Sequence, residues 1–448
     1  MALARYLARH QYPVILNDKR SEHELAAEIK SLKTLEVEWL LGSHSPSLLK
    51  QRPAMVCVSG GVPLDNEMVQ YALRESIPLS NDTQVFMDLV PCKTIAITGS
   101  AGKTTTTTLL GRMALAEEGK KYRKAWVGGN IGDPLINYLD EIEPDDLAIM
   151  EISSFQSELM TRSTDIAMVL NITPNHLDRH GTMKAYVAAK ARLVQYQRES
   201  SITILGRDDS QAWKLQKDVK GKLFSFGFSP LPAGMDGMTY QDGTYYWNVN
   251  GVAERIPMEE VLELRGGHNK LNAMAAASMA KCAGLQNESI LAGIRGFKGV
   301  SHRLEIMVKH KGVTWINDSI ATAPERTMAA INAFEGPLVL MLGGRDKKLP
   351  WNDLAALIHK RVCNVVLFGE AASLIERSLK ESPEGSILEA VYKETNLENA
   401  VATAYKIVRS GETVLFSPGG TSYDEFKDFS ERGERLKQWL QAHIDNNP

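Results

Sequence analysis

The chain has 448 residues, 44% of them hydrophobic and 23% charged, with a formal net charge of −3. It is a globular composition on a chain too long for one ordinary core, so two or three domains are expected. The near-neutral charge gives no ground for a nucleic-acid or anionic-membrane partner, and no apolar run is long enough to span a bilayer.

The N-terminal "MALARYLARHQYPVILNDKR" is amphipathic and charged throughout, with no uninterrupted apolar core of a signal peptide. Residues 1–92 carry short apolar strands, "YPVILND" and "AMVCVSG", and helical stretches such as "LDNEMVQYALRES". They form a small α/β unit that opens on a helix, where a nucleotide-binding α/β domain usually opens on a strand and a glycine-rich turn. In residues 93–300, "TIAITG", "LAIMEIS", "IAMVLNIT" and "SITILG" predict a mostly parallel sheet covered by helices. "GFSPLPAGMDGMTYQDGTYYWNVNG" predicts antiparallel hairpins appended to it. Residues 301–448 alternate strands "VTWIND", "PLVLMLGG", "NVVLFGE" and "ETVLFSP" with helices, as in a doubly wound, Rossmann-like domain. The glycines of this section do not form GxGxxG, so dinucleotide binding is not indicated. Cys57, Cys92, Cys282 and Cys363 lie far apart and read as buried thiols in a reducing cytosol.

The chemistry begins at "GSAGKTT", Gly99 to Thr105, between a strand and a helix. Gly99, Ser100, Ala101 and Gly102 are small enough for backbone N–H groups to close around phosphate oxygens, and the helix N-terminus adds its dipole. Lys103 is placed to reach the β- and γ-phosphates of ATP, and Thr104 to ligate Mg²⁺, with Thr105 beside them. Two residues separate the glycines, fewer than in the usual phosphate loop. Glu151 in "MEISSFQ" ends a strand, where such proteins hold Mg²⁺. "NITPNHLDRHGTMKAYVAAKARLV" places His176, Asp178 and His180 in a turn after a strand, and His176 is a candidate metal ligand. Lys190, on the helix that follows, reads equally as a surface lysine or a site cation.

Asn269 and Asn272 in "GGHNKLNA" share one helix face and present donor and acceptor to a base edge, unless Asn269 only caps the helix. Arg303 in "SHRLE", Asp318 in "INDSIATAPERT", Arg345 to Lys348 in "LGGRDKK", and Ser417, Thr421 and Ser422 in "SPGGTSYDEF" all gather at one edge of the third domain if its sheet is parallel. Fixed cations there suit a carboxylate or phosphate ligand. No Ser/His/Asp arrangement and no HExxH is present, so covalent nucleophilic catalysis is not indicated.

The order of these motifs resembles the Mur ligases, the ATP-dependent amide-forming enzymes of peptidoglycan precursor synthesis. "TGSAGKTTTT", "EISSFQ", "NITPNHLDRH", "YVAAKARL", "GGHNKLNA", "SHRLE" and "NDSIATAPE" carry the resemblance through essentially the whole chain. "SFQ", "NHLDRHGTM" and "SYDEFKDFSERG" point to a glutamate-adding member. The resemblance implies three α/β domains: a Rossmann-like UDP-binding domain (1–92) lacking its first strand, an ATP-binding domain (93–300) and a Rossmann-like amino-acid domain (301–448). It implies that Lys103 and Thr104 bind ATP phosphates and Mg²⁺, that Glu151 and His176 are metal ligands, and that Lys190 is carbamylated and holds a second Mg²⁺. Asn269, Asn272, Arg303 and Asp318 then match ATP contacts. Asn130 and Ser153 match contacts to the muramoyl-alanine substrate, Asp18 a uracil contact and Gly61 a diphosphate contact. Lys347, Ser422 and Phe429 match positions around glutamate, with Thr322 nearby.

The substrates implied are UDP-N-acetylmuramoyl-L-alanine and glutamate, joined through an acyl-phosphate by a cytoplasmic monomer with no nucleic acid and no membrane insertion. ATP arriving on one domain and glutamate on another implies closure before chemistry. Two departures fall around the glutamate site. Ile320 stands where the family usually has lysine after "DS", and "SPGGTS" replaces the common "SPACAS". They leave L-glutamate open beside D-glutamate. A folylpolyglutamate-forming ligase and an ATP-regulated binding protein are the rival readings.

Overall fold

The computed structural model describes residues 1–130, 133–264, 266–347, 349–380 and 385–446; Lys348 and the side chain of Asp178 lie outside that description. The chain divides into two compact units, Met1–Phe297 and Lys298–Pro448.

The first unit is built on a nine-stranded sheet. Seven strands run parallel, in the order Ala125–Gly129, Leu147–Glu151, Lys93–Thr98, Ile166–Val169, Ile202–Gly206, Lys222–Gly227 and Asp236–Gln241. The hairpin strands Thr244–Val249 and Val252–Ile256 complete it antiparallel. Ile95, Ala96, Ile97, Ala148 and Ile149 are fully buried, because helices cover both faces of the sheet; an apolar run rather than an alternating one therefore makes the strand. Lys103–Leu115 is helical although residues 104–108 are all threonine, a β-branched and weakly helix-forming type. Tertiary packing overrides that preference: Thr106, Thr107, Leu109, Leu110 and Met113 are buried against helices Gly267–Ala283 and Asn287–Ile294.

The N-terminal residues hold two separate parallel pairs, Val14–Asp18 with Val37–Leu41 and Val56–Cys57 with Leu79–Ser80. Helix Ala2–Arg9 precedes them and buries Leu3 and Tyr6 in one core with Phe86, Trp126 and Leu135. All four cysteines are free; Cys92 is buried, but Cys57 is exposed on its two-residue strand, contrary to the expected buried thiol.

The second unit is a six-stranded sheet. Five strands are parallel, in the order Val313–Asn317, Thr413–Gly419, Leu338–Gly343, Asn364–Phe368 and Ala390–Lys393, and Glu305–His310 lies antiparallel at the edge. One core lies on each face. Leu340, Leu342 and Ile358 anchor one; Val339, Met341, Phe416 and Leu436 anchor the other.

Candidate functional site

In the first unit the polar residues collect where the parallel strands end. Four adjacent strands contribute: Lys93–Thr98 leads into Gly99–Lys103, Leu147–Glu151 into Ser153, Ile166–Val169 into the loop with Asn171 and His176, and Ala125–Gly129 into Asn130. Loops at the carboxyl ends of parallel strands are where α/β sheets hold ligands.

The loop is held open by its neighbours. Asn171 acts as a surrogate backbone: its Oδ1 accepts from Ala101 N at 2.9 Å and its Nδ2 donates to Ala101 O at 3.1 Å. Ser100 Oγ bonds Thr173 O and the Tyr186 hydroxyl, both at 2.9 Å. Gly102 takes φ +84°, and a Cβ there would run into Asn272 Oδ1, so a glycine is required and Asn272 is brought against the loop. Helix Lys103–Leu115 then presents its N-terminus to the loop, with Lys103 Nζ curled back onto Gly99 O at 2.9 Å and Thr104 buried beneath. Thr105, half-buried, follows on the same first turn. A cavity of about 170 Å³ opens beside the loop, walled by Asn171, Asn272, Leu271, Phe226 and Asp208.

Lys190 is not a surface lysine. Helix Met183–Gln195, capped by Thr182, carries it inward, and it is 1% exposed. Its Nζ donates to Gly99 O at 2.9 Å and Thr98 Oγ1 at 3.2 Å. Burial, together with the charge of Lys103, pushes its pKa down to about 6 against the opposing pull of Glu151. Glu151 is likewise 1% exposed. Asn130 Nδ2 donates to its Oε1 at 2.7 Å, whereas its Oε2 is buried with no hydrogen-bond partner among the described residues. A buried carboxylate oxygen left bare is costly unless a cation or donor occupies that place. Thus the residues present fit Mg²⁺: a bare hard oxygen and a buried hydroxyl at Thr104 beside a phosphate loop. No group of three or more His, Cys, Asp or Glu converges among the described residues, so phosphate and water would supply most of the remaining ligands.

His176 is exposed and sits in the left-handed region at φ 53°, its ring 5.2 Å from Phe155. His180, grouped with it by sequence, is buried instead: Nδ1 lies 3.0 Å from Glu158, Nε2 2.9 Å from Ser154 Oγ, and the ring stacks on Phe155 at 5.2 Å. Ser153 caps the short helix Ser154–Ser157 in a reciprocal box with Gln156. Asn269 lies inside helix Gly267–Ala283, whose N-cap is Gly266, so capping is not its task. Asp18 ends its strand with its carboxylate paired to Arg20 at 2.9 Å, which holds it below the usual range. Gly61 is exposed, and its carbonyl accepts from Arg179 at 3.3 Å.

In the second unit the carboxyl edge gathers three loops. Asp318 is 5% exposed, its Oδ2 accepting from Ser417 Oγ at 2.9 Å and its Oδ1 from Leu304 N at 3.2 Å. Burial pushes its pKa up to about 6. Arg303, one residue before Leu304 and half-buried, adds a charge that opposes that rise. Lys347 Nζ donates to Thr322 Oγ1 at 3.2 Å. Ser422 is buried, and its carbonyl accepts from Glu425 N and Phe426 N. Phe429 opens the last helix, Phe429–Asn446, and accepts from Ser319 Oγ at 2.7 Å through its carbonyl. Arg345, expected among the fixed cations, is instead spent on a bidentate pair with Glu370 at 2.8 and 2.9 Å.

Sequence reasoning passed over Thr98, Asn171, Tyr186, Arg179 and Arg432. Asn171 had a signal, a polar amide directly after an apolar strand. Arg432 had none: it lies in a charged helical run yet is fully buried, bonded to Ser319 and Gly420.

Residues 97–280 match the family described as Mur ligase middle domain, and residues 302–420 the Mur ligase, glutamate ligase domain. The UDP-N-acetylmuramoylalanine–D-glutamate ligase of Pelotomaculum thermopropionicum is 36% identical over 441 residues, covering 98% of this chain and 94% of that one. The protein of the same name from Koribacter versatilis is 36% identical over 439 residues, covering 98% and 94%. Among solved structures, the UDP-N-acetylmuramate–alanine ligase of Thermotoga maritima superposes with a TM-score of 0.53 at 18% identity, covering 99% of this chain and 96% of that one. The MurF ligase of the same organism in complex with ADP gives 0.54 at 16%, covering 100% and 99%. Those two share the fold.

Proposed function

Because the chain belongs to the Mur ligase family, we propose that it joins D-glutamate to UDP-N-acetylmuramoyl-L-alanine with conversion of ATP to ADP and phosphate. Residues 1–92 would bind the uridine nucleotide, 93–300 ATP, and 301–448 glutamate. The substrate carboxylate attacks the γ-phosphorus of ATP, ADP leaves, and an acyl-phosphate forms. The glutamate amine then attacks the acyl carbon, phosphate leaves, and the nitrogen loses its extra proton to give the amide. A bare carboxylate is a poor electrophile, so phosphorylation supplies the leaving group.

Lys190 is the observation that carries this reading. A phosphate loop needs no second buried amine, and burial lowers the pKa of this one to about 6, within reach of the charge of Glu151, which keeps one bare oxygen. A neutral amine adds to CO₂, forming an N–C bond and releasing a proton, and the resulting carbamate is an anion. Glu151, Thr104, His176 and that carbamate would hold Mg²⁺. Bound there, Mg²⁺ neutralises charge on the transferring phosphoryl group. Lys103, held over the loop by the Gly99 carbonyl, supplies the protein's own cation to the phosphates. Asn269, Asn272, Arg303 and Asp318 would contact the nucleotide, Asn130 and Ser153 the muramoyl-alanine arm, and Asp18 and Gly61 the uridine diphosphate. Lys347, Thr322, Ser422 and Phe429 would surround the amino acid.

Phosphate release from ATP, followed with each component omitted in turn, tests the assignment. Release should require UDP-N-acetylmuramoyl-L-alanine and glutamate together. Steady release without the uridine nucleotide would sink it.

A further inference from the structure

We propose that Arg326 is a substrate-binding residue, which with Lys347 forms a two-cation clamp for the two carboxylates of the incoming amino acid. The inference rests on the reading that the chain adds glutamate, and deepens it by naming what recognises the dicarboxylate. A carboxylate leaving water needs a charged hydrogen-bond partner, and a dicarboxylate needs two. Position 320 offers none, being isoleucine, and Arg345 is committed to Glu370.

The geometry fixes where Arg326 stands. It lies in the first turn of helix Pro324–Asn332. The next residue, Thr327, donates from Oγ1 to Ser417 O at 3.0 Å, and Ser417 Oγ in turn holds Asp318 at 2.9 Å. That turn is thereby locked to the carboxyl edge of the sheet. Four residues earlier, Thr322 Oγ1 takes the Lys347 ammonium at 3.2 Å. Arg326 therefore lies in the chain between two anchored threonines, near enough to Lys347 for its charge to act on that ammonium.

Of the cations at this edge, Arg432 and Arg326 act on Lys347, and the commitments of the three differ. Arg432 is buried and bonded to Ser319 and Gly420. Lys347 has one described hydrogen-bond partner, the Thr322 hydroxyl. Arg326 is exposed, and its guanidinium makes no hydrogen bond or ion pair among the described residues. Packing around Lys347 and the charges of Arg326 and Arg432 hold its ammonium below the usual lysine range, with Glu325 the one acid opposing them. Arg326 also feels the charge of Asp318, but that acid is buried and its oxygens are taken by Leu304 N and Ser417 Oγ; like charges that no carboxylate bonds are what an anionic ligand relieves. The planar fork of arginine suits one carboxylate bidentately, and the lysine suits the other as a point charge.

Initial rates against glutamate concentration, with the full chain and the variants Arg326→Ala, Arg326→Gln and Arg326→Lys, test the clamp. The glutamine variant keeps most of the side-chain volume, so it reports on charge rather than packing. Expected is a KM for glutamate roughly 10- to 100-fold higher in the alanine and glutamine variants, with lysine between them and wild type. The KM values for ATP and the uridine nucleotide should stay within about twofold, since Arg326 is assigned to neither. Preference for glutamate over glutamine should shrink in the same order. An unchanged glutamate KM in an active enzyme, or a rise in the ATP KM instead, overturns the clamp alone. A wild-type chain that ligates no glutamate overturns the functional reading and the clamp with it.

Discussion

Lys103 and Lys190 both donate to one carbonyl, that of Gly99, and do different work. Lys103 can leave its carbonyl for phosphate, so Lys103→Ala should lower turnover by more than about 100-fold while leaving the denaturation midpoint nearly unchanged. Near-normal turnover in that variant would contradict the assignment. Lys190 is 1% exposed and bonded to both Gly99 O and Thr98 Oγ1. Labelled bicarbonate should give a carbamate carbon-13 resonance in the wild type that Lys190→Ala lacks, and bicarbonate-depleted buffer should slow the wild type reversibly. Identical spectra from both proteins would remove the carbamate.

Asp318 gives a prediction in pH. Its folded pKa, about 6, lies above the usual 3.8. The folded chain therefore holds a proton that the unfolded chain has lost across that window. This contribution to stability is complete below the unfolded value and disappears as pH rises through about 6. A rise from 3.8 to about 6 corresponds to about 3 kcal/mol of decline. Asp318→Asn should remove that part of the decline, read from urea midpoints at several pH values; a slope equal to wild type would show that Asp318 does not titrate there.

Sequence alone reaches the residues whose type is demanded by chemistry. Gly99 to Thr105 is legible because only small residues, a lysine and a hydroxyl suit a phosphate. Burial is less so: the sequence could not decide whether Lys190 faces water, because an alanine-rich helix offers no polar face to contrast with an apolar one. Nor could it pair Arg345 with Glu370, which lies 25 residues further along the chain.

At the scale of the element, the strands that carry the site were legible wherever both faces are covered. "TIAIT", "LAIME" and "IAMV" are continuous apolar runs, and each is a central strand. Ala125–Gly129 was not, since "AWVGG" ends in two glycines and sits at the sheet's edge. Those glycines are what the site needs. Gly129 takes φ +99°, and a Cβ on it would run into the backbone carbonyl of Glu151. The close approach also lets Asn130 N donate to that carbonyl at 2.8 Å while its side chain holds the Glu151 carboxylate. Gly129→Ala should therefore cost about 2 kcal/mol or more, through strain at positive φ and displacement of the neighbouring strand. Denaturant unfolding with an unchanged m-value checks this; a loss below about 0.5 kcal/mol would mean that the strands separate easily. In residues 1–92 "YPVILND" and "AMVCVSG" each hold a strand as expected, and only their partners, Val37–Leu41 and Leu79–Ser80, escaped. Those two, of five and two residues with mixed exposure, carry too little periodicity to be seen.

At the scale of the molecule, each unit presents its candidate residues at the carboxyl edge of a parallel sheet. The first offers a phosphate loop, a bare carboxylate oxygen and a neutral buried amine. The second offers a desolvated aspartate and, in Lys347 and Arg326, two side-chain cations with no carboxylate hydrogen bond among the described residues. Among the described residues no helix is long and apolar enough to cross a membrane. The sequence located both edges because doubly wound topology places loops there by rule, whichever ligand they hold. It could not choose the amino acid, because Ile320 and "SPGGTS" alter the positions where that choice is made. The most direct measurement is ATP-driven ligation of UDP-N-acetylmuramoyl-L-alanine with each glutamate enantiomer, read by product mass. D-Glutamate should give a product heavier by one glutamyl residue with one ADP formed per product, and L-glutamate should give none. Product from L-glutamate alone, or from neither enantiomer, would contradict the account.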